Sequence, residues 1–178
     1  MSNKLSKINQ KGFTLVEVMV ATFIVAMGVS SLMGLINKIY SYGGAGDTQL
    51  TAAYLGKEGI EIIRNIRDTN YLKMIQTGSG GWDDGLNLCE ICCEADYTNN
   101  SQNILACASP LRYLQSDGKF WSYSGSSQTL FQRKIVIAPS TDTDGTAIMN
   151  VKVTVYWTEG GRSHNLTIQE NLYNWWQM

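Results

Sequence analysis

The sequence predicts an α+β protein in which a long N-terminal apolar helix packs its C-terminal half on an antiparallel β-sheet, with a cysteine-bearing loop region. Three observations predict this architecture. The 24 residues of Phe13–Ile36 carry only one charged side chain. An amphipathic helical pattern follows them. The last third of the chain alternates apolar and polar residues around a glycine-containing hairpin.

The apolar stretch is long enough to cross a membrane. As a helix rising about 1.5 Å per residue, Phe13–Ile36 spans about 36 Å, which exceeds a hydrocarbon core of roughly 30 Å. Three lysines precede it, at Lys4, Lys7 and Lys11, and the first twelve residues hold no acid. By the positive-inside bias, the N-terminus is expected to stay in the cytoplasm while the rest of the chain is translocated.

Glu17 is the one charged residue in this stretch. A carboxylate costs about 2.5–3.5 kcal/mol at the bilayer centre and less near its surface, so the position calls for an explanation. One interpretation is an acid tolerated at the membrane boundary. The other is a pair with a positive charge on another subunit. Cleavage between Gly12 and Phe13 would create such a charge, the α-amino group of Phe13, four residues before Glu17.

The residues around this acid resemble a known signal. Gly12-Phe13-Thr14-Leu15-Val16-Glu17, behind a short lysine-containing leader, is similar to the class III signal of type IV pilins and type II secretion pseudopilins. The apolar run that follows, Val18–Gly28, is most similar to the minor pilins and minor pseudopilins, and it lacks the proline found in many major pilins.

The resemblance implies a pathway for the chain. A prepilin peptidase would cut after Gly12 and methylate the new amine of Phe13, and Glu17 would neutralise that amine in a neighbouring subunit. The helix would lie in the inner membrane as a single span, and an inner-membrane assembly platform would then pack it against other pilin subunits. The pilin-like head would be periplasmic before assembly, and extracellular on the pilus.

Four segments follow from these patterns: a removed leader at 1–12, a hydrophobic membrane or filament-core helix at 13–42, an amphipathic second helical part at 43–68, and an α+β head at 69–178 that ends in a β-meander. Glycines in Gly43–Gly46 interrupt the helical pattern, and the sequence leaves open whether the helix continues there. The second part presents a broad apolar face on which Gly56 and Gly59 permit close approach of a sheet.

The cysteines all lie in an irregular stretch between Thr77 and Gln128, at Cys89, Cys92, Cys93 and Cys107. The expected topology places them outside the cytoplasm, where disulfides persist, and the single histidine is distant, which disfavours a zinc site. A bond between adjacent Cys92 and Cys93 would be strained. Two pairings remain open: Cys89–Cys92 with Cys93–Cys107, or Cys89–Cys93 with Cys92–Cys107.

The C-terminal third predicts strands at Leu130–Ala138, Ile148–Thr158 and Asn165–Tyr173, with a tight hairpin at Glu159–Arg162. The final Tyr173–Trp176 segment is expected to close the core rather than to form an exposed aromatic patch.

Few residues indicate binding or catalysis. Asp142 and Asp144 form a weak calcium candidate in Asp142-Thr143-Asp144-Gly145, although Asp-Gly is also an ordinary turn. No other metal and no cofactor is expected. The sequence shows no nucleophile–base set and no basic stripe, so we expect neither an enzyme nor a nucleic-acid partner.

The predicted function is that of a minor pilin, a structural subunit acting in initiation, at the tip or on the surface of a type IV pilus. A minor pseudopilin of a type II secretion system is the alternative within the same machinery. A membrane-anchored binding protein with an uncleaved N-terminus is the alternative from another class.

Overall fold

A computed structural model of the chain describes residues 12–99 and 103–175. Most of the predicted leader, residues 1–11, and Trp176 lie outside the described residues. The chain divides into two compact units, Met1–Gly44 and Ala45–Met178, and each is described by itself.

Helix α1 extends from Leu15 to Thr77 without a break at the glycines of Gly43–Gly46. Propagating a formed helix through a glycine costs about 1 kcal/mol, far less than starting a new helix, so the flanking turns carry it through. The helix extends nine residues past Asp68, where the amphipathic pattern was predicted to end. It ends where Gly78 adopts a φ of 68° and donates its N–H to the carbonyl of Met74.

In the first unit, α1 is long and apolar enough to cross a membrane over Leu15–Ile36, which has a mean hydropathy of 2.1. Its hydroxyl groups bond to the helix itself. Thr22 donates to the carbonyl of Val18 at 3.0 Å, and Ser30 and Ser31 donate to carbonyls one turn back at 2.8 Å. These polar groups therefore need no partner from outside the helix.

The second unit contains one antiparallel sheet. A 3₁₀ turn, Asn87–Cys89, precedes it. The strands are β1 (Cys93–Glu94), β2 (Leu105–Ala106), β3 (Tyr113–Ser116), β4 (Trp121–Ser122), β5 (Ser127–Thr141), β6 (Ala147–Glu159) and β7 (Arg162–Tyr173). β6 pairs with β5 and β7, and the other side of β5 pairs with β1 and β3, which in turn pair with β2 and β4.

The predicted meander is confirmed as β5, β6 and β7, each a few residues longer than predicted. Glu159 and Arg162 pair across the hairpin, and Gly160 and Gly161 have φ values of 57° and 74°. Two consecutive positive φ angles match the type I′ turn that the twist of a hairpin favours.

The expectation of an irregular stretch from Thr77 to Gln128 is wrong in part, because β1–β4 lie within it. Strands of two to four residues are too short to show a sequence period. β1 and β3 form by pairing with β5, and β2 and β4 by pairing with them in turn.

The amphipathic half of α1 packs on the sheet as predicted. Isoleucines of α1 share one buried cluster with β5 and β6; they are Ile60, Ile62, Ile63 and Ile66. A Cβ atom at Gly56 would lie 2.8 Å from Cδ1 of Ile168, and one at Gly59 would lie 2.9 Å from Cγ1 of Val153. The two glycines therefore allow the close approach that the sequence predicted.

The disulfides are Cys89–Cys93 and Cys92–Cys107, one of the two pairings left open by the sequence. Cys89 and Cys93 are fully buried in the core. The N–H of Cys107 also donates to the carbonyl of Cys92 at 3.2 Å. Both bonds hold the segment that enters the sheet as β1 and β2.

The chain end packs on the last turns of α1. Buried Asn174 accepts a 2.5 Å hydrogen bond from the hydroxyl of Tyr71 and donates its N–H to the carbonyl of Ala147. Trp175, still 45% exposed, lies with its ring 4.6 Å from that of Tyr71. These contacts explain why α1 continues beyond Asp68. The expectation that Tyr173–Trp176 closes the core is confirmed for Asn174 but is wrong for Tyr173 and Trp175, which are 38% and 45% exposed.

We predict that Gly59→Ala lowers the free energy of unfolding of the second unit by about 1–3 kcal/mol. The added methyl would meet the branched side chain of Val153, which a strand holds in place. Gly46→Ala is the matched control on the same helix, since no atom lies within 4 Å of its Cβ position. It should raise stability by up to about 1 kcal/mol. Urea unfolding of the detergent-solubilised chain measures both, and equal stabilisation by the two alanines would contradict the close packing.

Candidate functional site

The residues before α1 form a cap at its N-terminus. Thr14 accepts a hydrogen bond on Oγ1 from the N–H of Glu17 at 3.3 Å, and its carbonyl accepts from the N–H of Val18. A threonine three residues before a glutamate is the spacing of a helix N-cap. The helix therefore begins at Leu15 and leaves the Gly12–Phe13 peptide bond outside it.

This peptide bond is open to its surroundings. Phe13 is 82% exposed, and no atom lies within 4 Å of the Cβ position of Gly12. A peptide bond outside a helix can be reached from several sides, as a peptidase requires.

Glu17 lies in the first turn of α1, where the positive end of the helix dipole favours a carboxylate. It is exposed, and within residues 12–99 and 103–175 it forms no salt bridge. The large apolar residues around it are exposed as well, including Leu15, Val18 and Phe23. Such a surface calls for lipid or other helices to cover it, and the carboxylate is available to a cation on another chain.

Comparison with known proteins assigns this segment. Residues 7–33 match the model of a prokaryotic N-terminal methylation motif. The chain carries that motif. The motif and the apolar helix are consistent with a type IV pilin-like protein, and the motif implies processing by a prepilin peptidase and assembly with other pilins. No curated protein and no solved structure matches the chain.

The methylation motif includes the Gly12–Phe13 bond and Glu17, but it ends well before the head.

Asp142 and Asp144 lie in the turn between β5 and β6. Asp142 accepts on Oδ1 from the N–H of Thr143 at 2.7 Å, and Asp144 accepts on Oδ1 from the N–H of Thr146 at 2.9 Å. This backbone hydrogen bond lowers the pKa of Asp144. Neither acid belongs to a metal-holding group of three or more His, Cys, Asp or Glu side chains, since the described part of the chain contains none. Both carboxylates are engaged by the turn itself.

Sequence analysis missed the most constrained charged residue of the head, Arg133. It is fully buried on β5. Its Nη1 donates to the carbonyl of Leu55 at 3.1 Å, its Nη2 donates to the carbonyl of Ala95 at 2.6 Å, and Glu58 Oε1 lies 3.6 Å from Nη1. One guanidinium thus joins α1, β5 and the segment after β1. One sequence signal could have identified it: Arg133 stands between Phe131 and Ile135 in the alternating pattern of β5, which places it on the inward face.

Two acids interact with this arginine, the buried Asp96 and the half-buried Glu58. Asp96 accepts hydrogen bonds from the N–H and hydroxyl of Thr98 and from the N–H of Tyr123. Burial opposes ionisation, but these bonds, with a smaller contribution from Arg133, still lower the pKa of Asp96. Burial raises the pKa of Glu58, and the charge of Arg133 opposes that rise.

Glu94 holds the adjoining loop. Its carboxylate is fully buried and accepts from Nε of Arg112 at 2.5 Å and from the backbone N–H of Arg112 at 3.0 Å. The guanidinium of Arg112 lies 4.6 Å above the ring of Tyr123. Glu94 and Arg112 thereby hold the residues just before β3 to β1.

We predict that Arg133→Met lowers the free energy of unfolding of the second unit by about 3 kcal/mol or more. Methionine leaves the carbonyl of Ala95 without its donor and Glu58 without its cation. The matched control is Lys134→Met, the next residue along β5, which lies on the other face of the strand. It should change stability by no more than about 0.5 kcal/mol. Urea unfolding followed by near-UV circular dichroism compares them, and similar values for both variants would refute the role given to Arg133.

Proposed function

We propose that this protein is a minor pilin, a structural subunit of a type IV pilus that acts in filament initiation, at the tip or on the filament surface. The observation that carries the proposal is the methylation motif at 7–33, with an accessible Gly12–Phe13 bond and a Glu17 unpaired in the described residues. The resemblance of Val18–Gly28 to minor pilins favours the minor class.

Cleavage and assembly are linked through one charge. Removal of residues 1–12 places a positive α-amino group on Phe13, next to the N-cap of α1. In a neighbouring subunit shifted along the helix axis, Glu17 neutralises that amine. An ion pair surrounded by apolar helices is much stronger than one in water, whereas an unpaired carboxylate there is costly.

The same helix serves first as an anchor. Leu15–Ile36 holds the subunit in the inner membrane, with the head in the periplasm, until the assembly platform transfers it into the filament. Two disulfides in the head support this location, because such bonds persist outside the cytoplasm. Other pilin subunits, contacted through the helix, replace the lipid around it.

We infer a structural rather than an enzymatic role for the head, and no role in nucleic-acid binding. Its buried charged groups bond to one another and to the backbone, as Arg133 and Glu94 do. The motif also occurs in pseudopilins, and a deletion distinguishes the two machines. Loss of surface pili with normal protein export supports the pilus, and loss of export with normal pili would overturn it.

We predict that the protein isolated from native membranes has a mature form that begins at N-methylated Phe13. Its intact mass should be lighter by residues 1–12 and by four cysteine hydrogens, and heavier by one methyl group. Reduction and alkylation of the same sample should add four alkyl groups. Mass spectrometry checks all three changes, and a protein that retains Met1 would instead favour the membrane-anchored binding protein.

We predict that Glu17→Gln inserts into the membrane and is cleaved normally, but is incorporated into filaments about tenfold less or worse. This loss corresponds to about 1.4 kcal/mol or more of lost pairing free energy. Thr22→Val is the matched control on the same helix, because the Thr22 hydroxyl bonds only to its own helix. Immunoblots of sheared filaments and of membranes separate assembly from expression. Wild-type incorporation of Glu17→Gln would contradict the pairing.

A further inference from the structure

A groove of about 540 Å³ lies on the second unit beside the β6–β7 hairpin. Its walls come from the segment that leads into β3, the first half of β5, the end of β6 and the start of β7. We propose that this groove binds a neutral saccharide. The proposal goes beyond the role of the chain as a filament subunit and rests on different residues.

The size and charge of the groove favour a small, uncharged ligand. Its volume falls within the range of about 300–1,000 Å³ that small-molecule sites occupy. Among the described residues that line it there is no Asp, Glu, Lys or Arg. A phosphate, nucleic acid or acidic glycan would find no cation there to offset its loss of water, so an uncharged ligand is favoured.

The lining combines rings with neutral hydrogen-bonding groups. Tyr113 and Tyr156 contribute rings, and Gln128, Thr158 and Ser163 contribute an amide and two hydroxyls. A pyranose has the complementary form, with C–H groups on its faces and hydroxyls around its rim. Aromatic side chains offer an apolar face to the first, and amides and hydroxyls bond to the second.

The polar groups aimed at a ligand are distinct from those that build the walls. Gln132 donates from Nε2 to the carbonyl of Leu111 at 2.6 Å, and Thr129 donates from Oγ1 to the carbonyl of Leu114 at 2.7 Å. The side chains of Gln128, Thr158 and Ser163 have no such bond within residues 12–99 and 103–175. They therefore retain their full capacity to bond to a ligand.

The groove is formed before any ligand arrives. The two wall bonds hold β3 and the residues just before it against β5. A preformed site loses little side-chain freedom on binding. At the groove β5 pairs with β3 and β6 pairs with β7, whereas the β5–β6 ladder ends at Phe131 and Trp157, so the two strands part there.

The site has room for more than one sugar ring. A second groove of about 650 Å³ shares Leu111 and Tyr156 with the first and continues toward the Cys92–Cys107 disulfide. Its lining adds one acid and one base, Glu90 and Lys134, whose charges balance. The two grooves meet at Tyr156, which places this ring at the centre of the path. An oligosaccharide, rather than a single sugar, fits this length.

The test is isothermal titration calorimetry on the full chain. The protein is solubilised in a zwitterionic detergent, because a glycoside detergent would present sugar to the groove. The probes are maltohexaose, cellohexaose and chitohexaose as neutral saccharides, an oligogalacturonate as an acidic one, and a neutral hexapeptide. Binding of at least one neutral saccharide at millimolar or lower concentration is expected, with no heat from the acidic probe or the peptide.

Tyr156→Ala should weaken saccharide binding about tenfold or more, as loss of a central aromatic contact does. Ser163→Ala, which alters one exposed hydroxyl, is a second variant and should weaken it as well. Tyr54→Ala is the matched control, since Tyr54 is 64% exposed on α1 and lies outside the groove. Near-UV circular dichroism checks that each variant is folded.

Three results would overturn the proposal: no heat from any neutral saccharide, binding of the acidic probe or the peptide instead, or unchanged affinity in folded Tyr156→Ala and Ser163→Ala. Filament incorporation is measured separately through Glu17, so failure of saccharide binding would leave the minor-pilin proposal intact.

Discussion

The buried guanidinium of Arg133 is the interaction on which the second unit depends. It donates to carbonyls of Leu55 on α1 and Ala95 after β1, so it connects the helix, the central strand and the loop region. A buried cation costs several kcal/mol unless hydrogen bonds offset it. Gly59 makes the reach possible, because a Cβ atom there would lie 3.2 Å from Cδ of Arg133. The three elements must therefore be in place together.

The two disulfides support this arrangement rather than replace it. Cys93 lies two residues before Ala95, and its bond to Cys89 holds the start of β1 inside the core. Glu94, between them, turns to the other side and binds Arg112. A covalent link in the unfolded chain reduces the freedom of this segment before folding. Positioning the carbonyl of Ala95 for Arg133 therefore costs less chain entropy than it would without the disulfide.

Local patterns in the sequence predicted the apolar N-terminal helix, the hairpin and the apolar face of the second half of α1, because each is determined by residues close together in the chain. The rest depends on distant contacts. The end of α1 at Thr77 follows from Tyr71 packing on the chain end, and the disulfide pairing follows from which cysteines face the core. The sequence did not predict the burial of Arg133, because an arginine can face the core only where acceptors from distant segments meet it. It did not predict β1–β4, because strands this short form only by pairing with β5 or with each other.

The hydroxyls of Thr22, Ser30 and Ser31 all bond to carbonyls of their own helix. After Glu17, the apolar surface of α1 up to Ile36 therefore has no side-chain hydroxyl at Thr22, Ser30 or Ser31 that needs a hydrogen-bond partner on a neighbouring helix. Sliding such a surface along another apolar helix changes the contact area only gradually, whereas the proposed pair of Glu17 with a neighbouring α-amine forms at a single axial offset. In the proposed filament, the Glu17 carboxylate determines the axial spacing of subunits, while the apolar surface of α1 can pack against helices of different sequence. Different pilins can then share one filament if each carries this acid. Contacts between the heads would decide which subunits become neighbours.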